Sequence, residues 1–428
     1  MDTNDFIGSF AQENVSFATQ VIKTAVVGDN FWKVMVFVEN SRFVDSSAWP
    51  LVPGSTSIKA KAITADDYAT ETTGLLQSWL YDLFCSGFTG DCILVACGEN
   101  VPVNYTYTEV TPAGTENPQE QGWYVLNGSD YELTTDTSVQ AGTTYYTRSG
   151  TADPSTFISN MDTAYALMKA YAYHKTVCAG SDDALLPEIA VELASLCSGD
   201  KQLLSGCPLL PYTTSVPDTP ATDPLYNAVK TSGKDAFFSA HQDSTRNGAL
   251  LSLGIALATY NGSGTPVGSG MDMRATGYIT PSGPNGTNLP KVVRDTLYGL
   301  HIQTWKPVGD NTGNVAAMND RTILDDVYSA NWIIAYIGYM TKVSVAQMMT
   351  QPEFLKNADN YSRILGVLNS YLSKFDGGRL TDIKVTAPGY GGLPEAAGDE
   401  IVIPNAWSAQ YVDHVRKVTI TGTLYIGV

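Results

Sequence analysis

The chain has 428 residues and carries 25 Lys plus Arg against 43 Asp plus Glu, a formal net charge of −18 at pH 7. That balance excludes a nucleic-acid binder, because neutralising phosphates needs a basic stripe that this sequence lacks. With 16% charged and 43% hydrophobic residues, the acidity comes from scarce bases rather than from a charge-rich disordered chain, and the protein is expected to fold.

The run from Phe17 to Val44 is rich in Val, Ile, Phe and Thr and is broken at Gly28-Asp29-Asn30, which reads as two strands around a turn. In WKVMVFVEN, Val34, Val36 and Val38 alternate with Lys33, Met35 and Phe37, the pattern of a strand covered on both faces inside a sheet. Residues 66–84 place Leu75, Leu76, Trp79, Leu80 and Leu83 at helical spacing, and a short buried strand, CILVAC at 92–97, follows. Strand, helix, strand favours an α/β layer. From 101 to 150 the chain turns Thr-, Tyr- and Gly-rich, with GWYVL at 122–126, Asn127-Gly128-Ser129-Asp130, YELT at 131–134 and TTYYTR at 143–148. Asn-Gly between such runs signals a hairpin, so the segment reads as a small inserted all-β module.

Helical periodicity then returns over 162–178 and 184–198, the second with Pro187 early, where a missing N–H costs little. The proline-rich stretch 208–224 reads as a loop or linker. A helix is expected around Asn247–Tyr260, a Gly-rich loop over 261–270, a strand in HIQTWKPVG at 301–309, and helices near Asp326–Met349 and Phe354–Phe375. The last of these carries Ile364, Leu365, Leu368, Leu372 and Phe375 on one face. The C-terminus alternates strictly from Arg416: Val418, Ile420, Leu424, Ile426 and Val428 against Thr419, Thr421, Thr423 and Tyr425. Such a strand must pair with a sheet in its own subunit or in a neighbour.

Chemistry is harder to find. The four histidines are His174, His241, His301 and His414, and although Asp243 and Ser244 follow His241, no strand-turn-helix elbow surrounds a serine. An enzyme centred on His241 and Asp243 is therefore the weakest reading, and no catalytic residue is assigned. Cys85, Cys92, Cys97, Cys178, Cys197 and Cys207 match no zinc or redox spacing and read as buried small hydrophobes. Asp182-Asp183 and Asp325-Asp326 fit helix starts better than metal ligands, and the glycine stretch lacks the Lys-Ser/Thr of a phosphate loop. No metal or cofactor is expected. KDAFFSAHQDSTRNGAL at 234–250 reads as a joint between elements. The N-terminus MDTNDFIGSF lacks the basic start and apolar core of a secretory signal, and no apolar run reaches the ~20 residues of a membrane span.

Several stretches resemble the tail sheath proteins of contractile phage tails and related contractile particles. They are HIQTWKPVGDNTGN at 301–314, NWIIAYIGYMTKV at 331–343, the helix at 354–375, and DEIVIPNAWSAQYVDHVRKVTITGTLYIGV at 399–428. The likeness covers roughly 250–428 and extends more weakly to 17–44; ENPQEQGWYVL at 116–126 and DTSVQAGTTYY at 136–146 resemble a module found in phage structural proteins.

The resemblance implies a mixed α/β, multi-domain chain with a sheath-like core. Its expected parts are an N-terminal arm at 1–28, a discontinuous α/β domain at 29–100 and 151–260, the inserted module at 101–150, a sheath core at 261–415 and a C-terminal strand arm at 416–428. Hexameric rings would stack around an inner tube, with Val418, Ile420, Leu424, Tyr425 and Ile426 in the arm lent to a neighbour. The implied partners are other copies of the chain, a tail tube protein, and baseplate and tail terminator proteins, in a virion assembled in a bacterial cytoplasm; no nucleic acid or membrane span is implied. Lys356, Asp359, Arg363 and Lys374 mark a candidate tube-facing helix, although charges on a helix are commonly just a solvated face. The competing reading is a carbohydrate-binding surface built on Trp123, Tyr124, Tyr131, Tyr145 and Tyr146, residues that equally suit a small module's own core.

Overall fold

The computed structural model describes residues 30–85, 87–98, 106–128, 130–150, 152–181, 184–200, 209–212, 221, 223–240, 247–260, 275–276, 290–308, 311–318, 321–325, 327–394 and 401–412. The N-terminal arm, Cys207, His241, Asp243, the glycine stretch 261–270, His414 and the C-terminal strand 416–428 lie outside these residues.

The first sheet is built on β1 (Val34–Val38), every residue of which is buried. A five-residue apolar run with no polar face needs cover on both sides, and the parallel strands β3 (Cys92–Ala96) and β8 (His174–Cys178) flank it in register, Val36 opposite Leu94 and Thr176. After β1 come α1 (Asn40–Phe43) and β2 (Lys59–Ile63), which pairs antiparallel with β3 and closes one edge, giving the order β2-β3-β1-β8. The alternating lysines of β2 blunt that edge: Lys61 Nζ pairs with Glu71 at 2.7 Å and Lys59 Nζ donates to Ser47 O at 2.6 Å.

The helix expected over 66–84 is two helices, α2 (Tyr68–Glu71) and α3 (Gly74–Phe84). Gly74 sits at φ 60°, and the Thr73 N–H donates sideways to Phe43 O at 2.9 Å, so the helical ladder stops between them. Gln77 covers the exposed end of α2 by donating to Ala69 O and Thr72 O. Leu76, Trp79, Leu80 and Leu83 are buried as the spacing requires.

Strands β4 (Thr106–Val110), β5 (Tyr124–Asn127), β6 (Asp130–Leu133) and β7 (Tyr145–Ser149) form a separate antiparallel sheet in the order β4-β7-β5-β6. The Asn127-Gly128 signal closes the β5–β6 hairpin, with Asn127 opposite Asp130 and Gly128 at φ 65°. Buried Trp123, Tyr124 and Tyr145 pack inside this unit and are not part of the main core.

The long helix expected over 162–178 is wrong in its second half: α4 (Ser155–Met168) ends before β8. Two steps of a period-2 strand equal one helical spacing of four, so apolar residues in YAYHKTVC fit either pattern until the partner strand decides. The small pair β9 (Gly180–Ser181) and β10 (Ala184–Leu185) leads to α5 (Pro187–Asp200), with Pro187 as its first residue. The proline stretch is not all loop either. Leu209–Tyr212 forms β11, parallel to β12 (Phe237–Ala240) and beside β8, while Pro224 opens α6 (Pro224–Thr231) beneath the Asp223 cap. After β12 comes α7 (Gly248–Tyr260), packed on α3.

The remaining elements are β13 (Ala275–Thr276), α8 (Lys291–Gly299), β14 (Thr304–Val308) and β15 (Asn311–Met318), whose strands form a sheet in the order β13-β15-β14. They are followed by α9 (Tyr328–Met349), α10 (Ala358–Leu372), a 3-10 turn at Ser373–Phe375, and the antiparallel pair β16 (Leu380–Val385) and β17 (Trp407–Tyr411). One apolar cluster runs from Phe31 to Leu380, crossing the boundary expected at 260/261 without a break. A second, smaller cluster joins Val345 and Ala346 of α9 to Ile364 of α10.

Gly338 in α9 and Gly366 in α10 have regular helical backbone, and a Cβ added at either meets nothing within 4 Å. Gly338→Ala and Gly366→Ala should each stabilise the monomer by about 1 kcal/mol, read as a rise in the urea midpoint at unchanged slope.

Candidate functional site

The interior of the main sheet is where an α/β protein would hold chemistry, at the carboxyl ends of strands whose connections leave in opposite directions. Here β1 leads to β3 on one side and β8 leads away on the other, so the crevice falls between β1 and β8. It is filled by the chain itself. The buried Glu39 carboxylate accepts from Gly180 N at 3.2 Å, and Arg42 donates to Gly180 O at 2.8 Å with its guanidinium 3.8 Å from Glu39. This arrangement ties two strand ends together.

The joint expected at 234–250 is built around Asn247, which is fully buried. Its N–H donates to Asp82 Oδ2 at 2.7 Å and its Oδ1 accepts from Leu250 N at 3.0 Å, capping α7 and fastening it to α3. Among the described residues no group of three His, Cys, Asp or Glu side chains stands close enough to hold a metal ion, and no helix is long and apolar enough to cross a membrane. Cys92, Cys97, Cys178 and Cys197 are buried free thiols and Cys85 is a half-buried one; burial pushes the Cys92 and Cys97 thiols well up, which keeps them protonated and inert.

The densest constellation is aromatic. Phe31, immediately before β1, has ring-centroid distances of 4.8 Å to Trp332, 5.2 Å to Tyr173, 5.5 Å to His174 and Tyr336, and 5.6 Å to Tyr339, with Trp32 at 5.4 Å. Trp332, Tyr336 and Tyr339 recur three and four apart along α9, so one face of that helix supplies half of the seam. His174 stacks on Trp332 and its Nε2 is buried without a hydrogen-bond partner. Burial first, then the adjacent Lys175 charge, holds the imidazole down at about 3, against a hydrogen bond to the Phe31 backbone that works the other way. Burial raises the Tyr173 hydroxyl, with Tyr339 adding to the effect, and lowers Lys342 to about 8. These groups titrate far from their usual ranges because they are packed, and none faces a cleft that would use them. Sequence reading missed the seam, since Phe31 stands outside any periodic run; the three- and four-residue aromatic spacing in NWIIAYIGYM was the available signal.

The sequence-predicted surface residues are scattered. Lys356 precedes the Asn357 cap of α10 and Asp359 lies in the first turn; Arg363 donates to Asn360 Oδ1 at 2.9 Å and Gln351 Oε1 at 3.0 Å. Lys374 lies beyond the helix, in the 3-10 turn, 4.7 Å over the Tyr371 ring. All four are exposed. In the β module, Tyr131 stacks on Tyr107 at 3.8 Å with rings 4° from parallel, Tyr146 meets Tyr131 edge-on at 4.9 Å, and Arg148 covers Tyr124 at 4.8 Å. The tyrosine faces are thus turned largely on one another. The arm residues Val418, Ile420, Leu424, Tyr425 and Ile426 fall outside the described residues.

No protein-family model matches the sequence, and no curated protein is similar to it. Among solved structures, the fold is similar to a chain of the anti-feeding prophage baseplate, determined by cryo-EM and 6-fold symmetrised. The TM-score is 0.53 at 13% identity, with 94% of this chain and 96% of that chain covered. At that identity the likeness is one of fold, a mixed α/β fold shared end to end.

The seam makes an acid-lability prediction. The unfolded state binds the His174 proton near pH 6.5 and the folded state only near 3, so His174 contributes full stability above 6.5 and less as pH falls. Between pH 6.5 and 5 its share of the loss should be roughly 2 kcal/mol. Urea unfolding across that range should show a shallower pH slope for His174→Asn than for the parent chain.

Proposed function

We propose that the chain is a structural subunit of a phage-like contractile particle, and within it the tail sheath: hexameric rings stacked around an inner tube, shortening to drive the tube through a cell envelope. The observation that supports this most is the end-to-end fold likeness to a chain in a 6-fold symmetrised baseplate. The likeness spans 94% of this chain and 96% of that one, so it concerns the arrangement of the elements as a whole and not one local motif. The sheath assignment also rests on the sequence resemblance at 301–314, 331–343 and 399–428. A mechanical subunit needs no catalytic group, and the interior side chains described above serve packing and capping.

In this reading the C-terminal strand, Arg416–Val428, pairs with a sheet in a neighbouring subunit, where main-chain hydrogen bonds give strength and the apolar face gives register. Subunits then rotate about such strands nearly as rigid bodies when the lattice contracts. Tube, baseplate and terminator proteins complete the particle. Lys356, Asp359 and Arg363, grouped at one end of α10, are the charged patch assigned to the tube, with Lys374 at the far end of that helix.

Negative-stain microscopy of the purified full chain tests this directly: rings or tubes are expected, and a monodisperse monomer at all concentrations would refute the sheath assignment. Deleting 416–428 should leave unassembled subunits; normal tubes from the truncated chain would refute strand donation. With −18 per copy, subunits repel through solvent, so assembly should rise as salt is added, and a steady fall would mean that attractive ion pairs dominate the contacts. The double variant Asp359→Lys with Arg363→Glu should leave self-assembly intact while reducing co-sedimentation with tube protein.

A further inference from the structure

The chain enters β14 and leaves β15 through two short segments that meet at one place, the neck of this strand pair in the β13–β15 sheet. On the way out, Gln303 is fully buried: its N–H donates to Phe238 O and its carbonyl accepts from Ala240 N, both at 2.8 Å, while its Oε1 accepts from Ser252 Oγ at 2.7 Å. On the way back, Ile323 N donates to Ala236 O at 3.0 Å and Leu324 N to Asp235 Oδ1 at 3.3 Å. Both segments are therefore held by the same strand, β12 and the residues that open it.

Beside each anchor sits a residue in an unfavourable backbone conformation. His301 has φ 61° and Asp325 φ 71°, two of the four non-glycine residues with positive φ among those described. His301 occupies the position past a helix end where glycine is usual: Ile302 N donates to Leu297 O at 2.9 Å, His301 N donates to Tyr298 O at 3.1 Å, and Ile302 and Leu297 are both buried. Asp325 closes a turn, its N–H donating to Thr322 O at 2.9 Å. If the backbone alone mattered, glycine would serve better at both places, since a Cβ disfavours the left-handed region. What these two side chains do instead is meet. His301 Nε2 lies 3.4 Å from Asp325 Oδ1, and Arg321 donates to that same oxygen and to the Asp325 carbonyl, each at 2.9 Å.

We propose that the His301–Asp325 pair is a strained latch across the neck of the β13–β15 sheet, holding two left-handed residues together so that its release lets the outgoing and returning segments relax. Among the described residues, other charged groups near the neck include Arg321 on the returning segment, Asp235 ahead of β12, and Lys230 on α6. Lys230 Nζ lies 3.1 Å from the Tyr226 hydroxyl, which donates to Leu300 O at 3.1 Å. The pair is accessible, with side-chain exposures of 31% and 60%, and when the imidazole carries its proton dissolved salt weakens it while leaving the buried Gln303 anchor unchanged. The latch is a property of the single chain and holds whether or not the chain assembles as proposed above.

Amide hydrogen exchange on the intact chain tests it, followed by mass spectrometry in peptides spanning 300–304 and 321–325. His301→Ala keeps a Cβ and removes the imidazole; neck exchange should rise about 2- to 5-fold, the range of an exposed ion pair. With exchange run at pH 5, where an imidazole is ordinarily protonated, 1 M NaCl should raise it in the parent chain by a similar factor, and by less in His301→Ala, where only the Arg321–Asp325 pair remains to be screened. His301→Gly removes pair and strain together, so its neck should exchange more slowly than that of His301→Ala. Asp325→Asn, which keeps side-chain size but weakens the Arg321 contact as well, should raise neck exchange at least as much as His301→Ala and supplies the comparison if that variant folds poorly. Parent-like exchange in both His301→Ala and Asp325→Asn at either salt level would overturn the latch. Equal exchange in the alanine and glycine variants would overturn the strain.

Discussion

Phe31 is the contact on which the two halves of the chain depend. It lies one turn ahead of the central strand, fully buried, and its ring meets Tyr173 and His174 at the start of β8 together with Trp332, Tyr336 and Tyr339 along α9. Edge-to-face and tilted aromatic pairs add orientation to the burial that any apolar residue would supply. A helix spanning ~33 Å by its 22 residues is thereby fixed in rotation against a sheet formed some 300 residues earlier in sequence. Because α9 also carries the second cluster, through Val345 and Ala346 to Ile364, the orientation set at Phe31 is passed along the helix to α10.

The unusual ionisable groups follow from the same packing. A neutral His174, a firmly protonated Tyr173 and an easily deprotonated Lys342 would mark an active site if they converged on a cleft. Lys342 is instead buried farther along α9, and His174 and Tyr173 line a packed seam. Its stability against unfolding comes from the rings, and its cost is a set of polar atoms, Tyr173 Oη and His174 Nε2 among them, that have no hydrogen-bond partner.

What was legible in the sequence follows physical lines. β1 and β3 were plain because continuous apolar runs have few other uses, and α7, α9 and α10 because long periodic segments leave little choice. β8 was hidden by the arithmetic of spacing, β11 by Pro211 and its neighbours, and β2 by lysines that belong to an edge. The resemblance in the C-terminal third pointed toward contractile particles, and the comparison with solved structures adds a likeness of fold. The latch was invisible for a different reason. Left-handed backbone is inferred from glycine or asparagine, and neither His301 nor Asp325 advertises it; only the meeting of two distant segments reveals why those side chains stand there.

Two anchored points lie toward the two ends of the sequence. Asn30 to Trp32 form a 3-10 turn that includes Phe31. At the other end Val412 donates to Arg379 O at 2.8 Å, and the nearly buried Arg379 guanidinium reaches back to the Val412 carbonyl at 3.4 Å. β16 and β17, which hold this point, contain two further left-handed residues, Asp382 at a register shift and Asn405 before β17. If the terminal segments bind neighbouring subunits as proposed, tension on one enters at the aromatic seam and tension on the other at the Arg379 clasp. Between the two lie α9 and α10, both well-packed helices, so force would pass through stiff elements and leave the neck of the β13–β15 sheet as a separate place for movement.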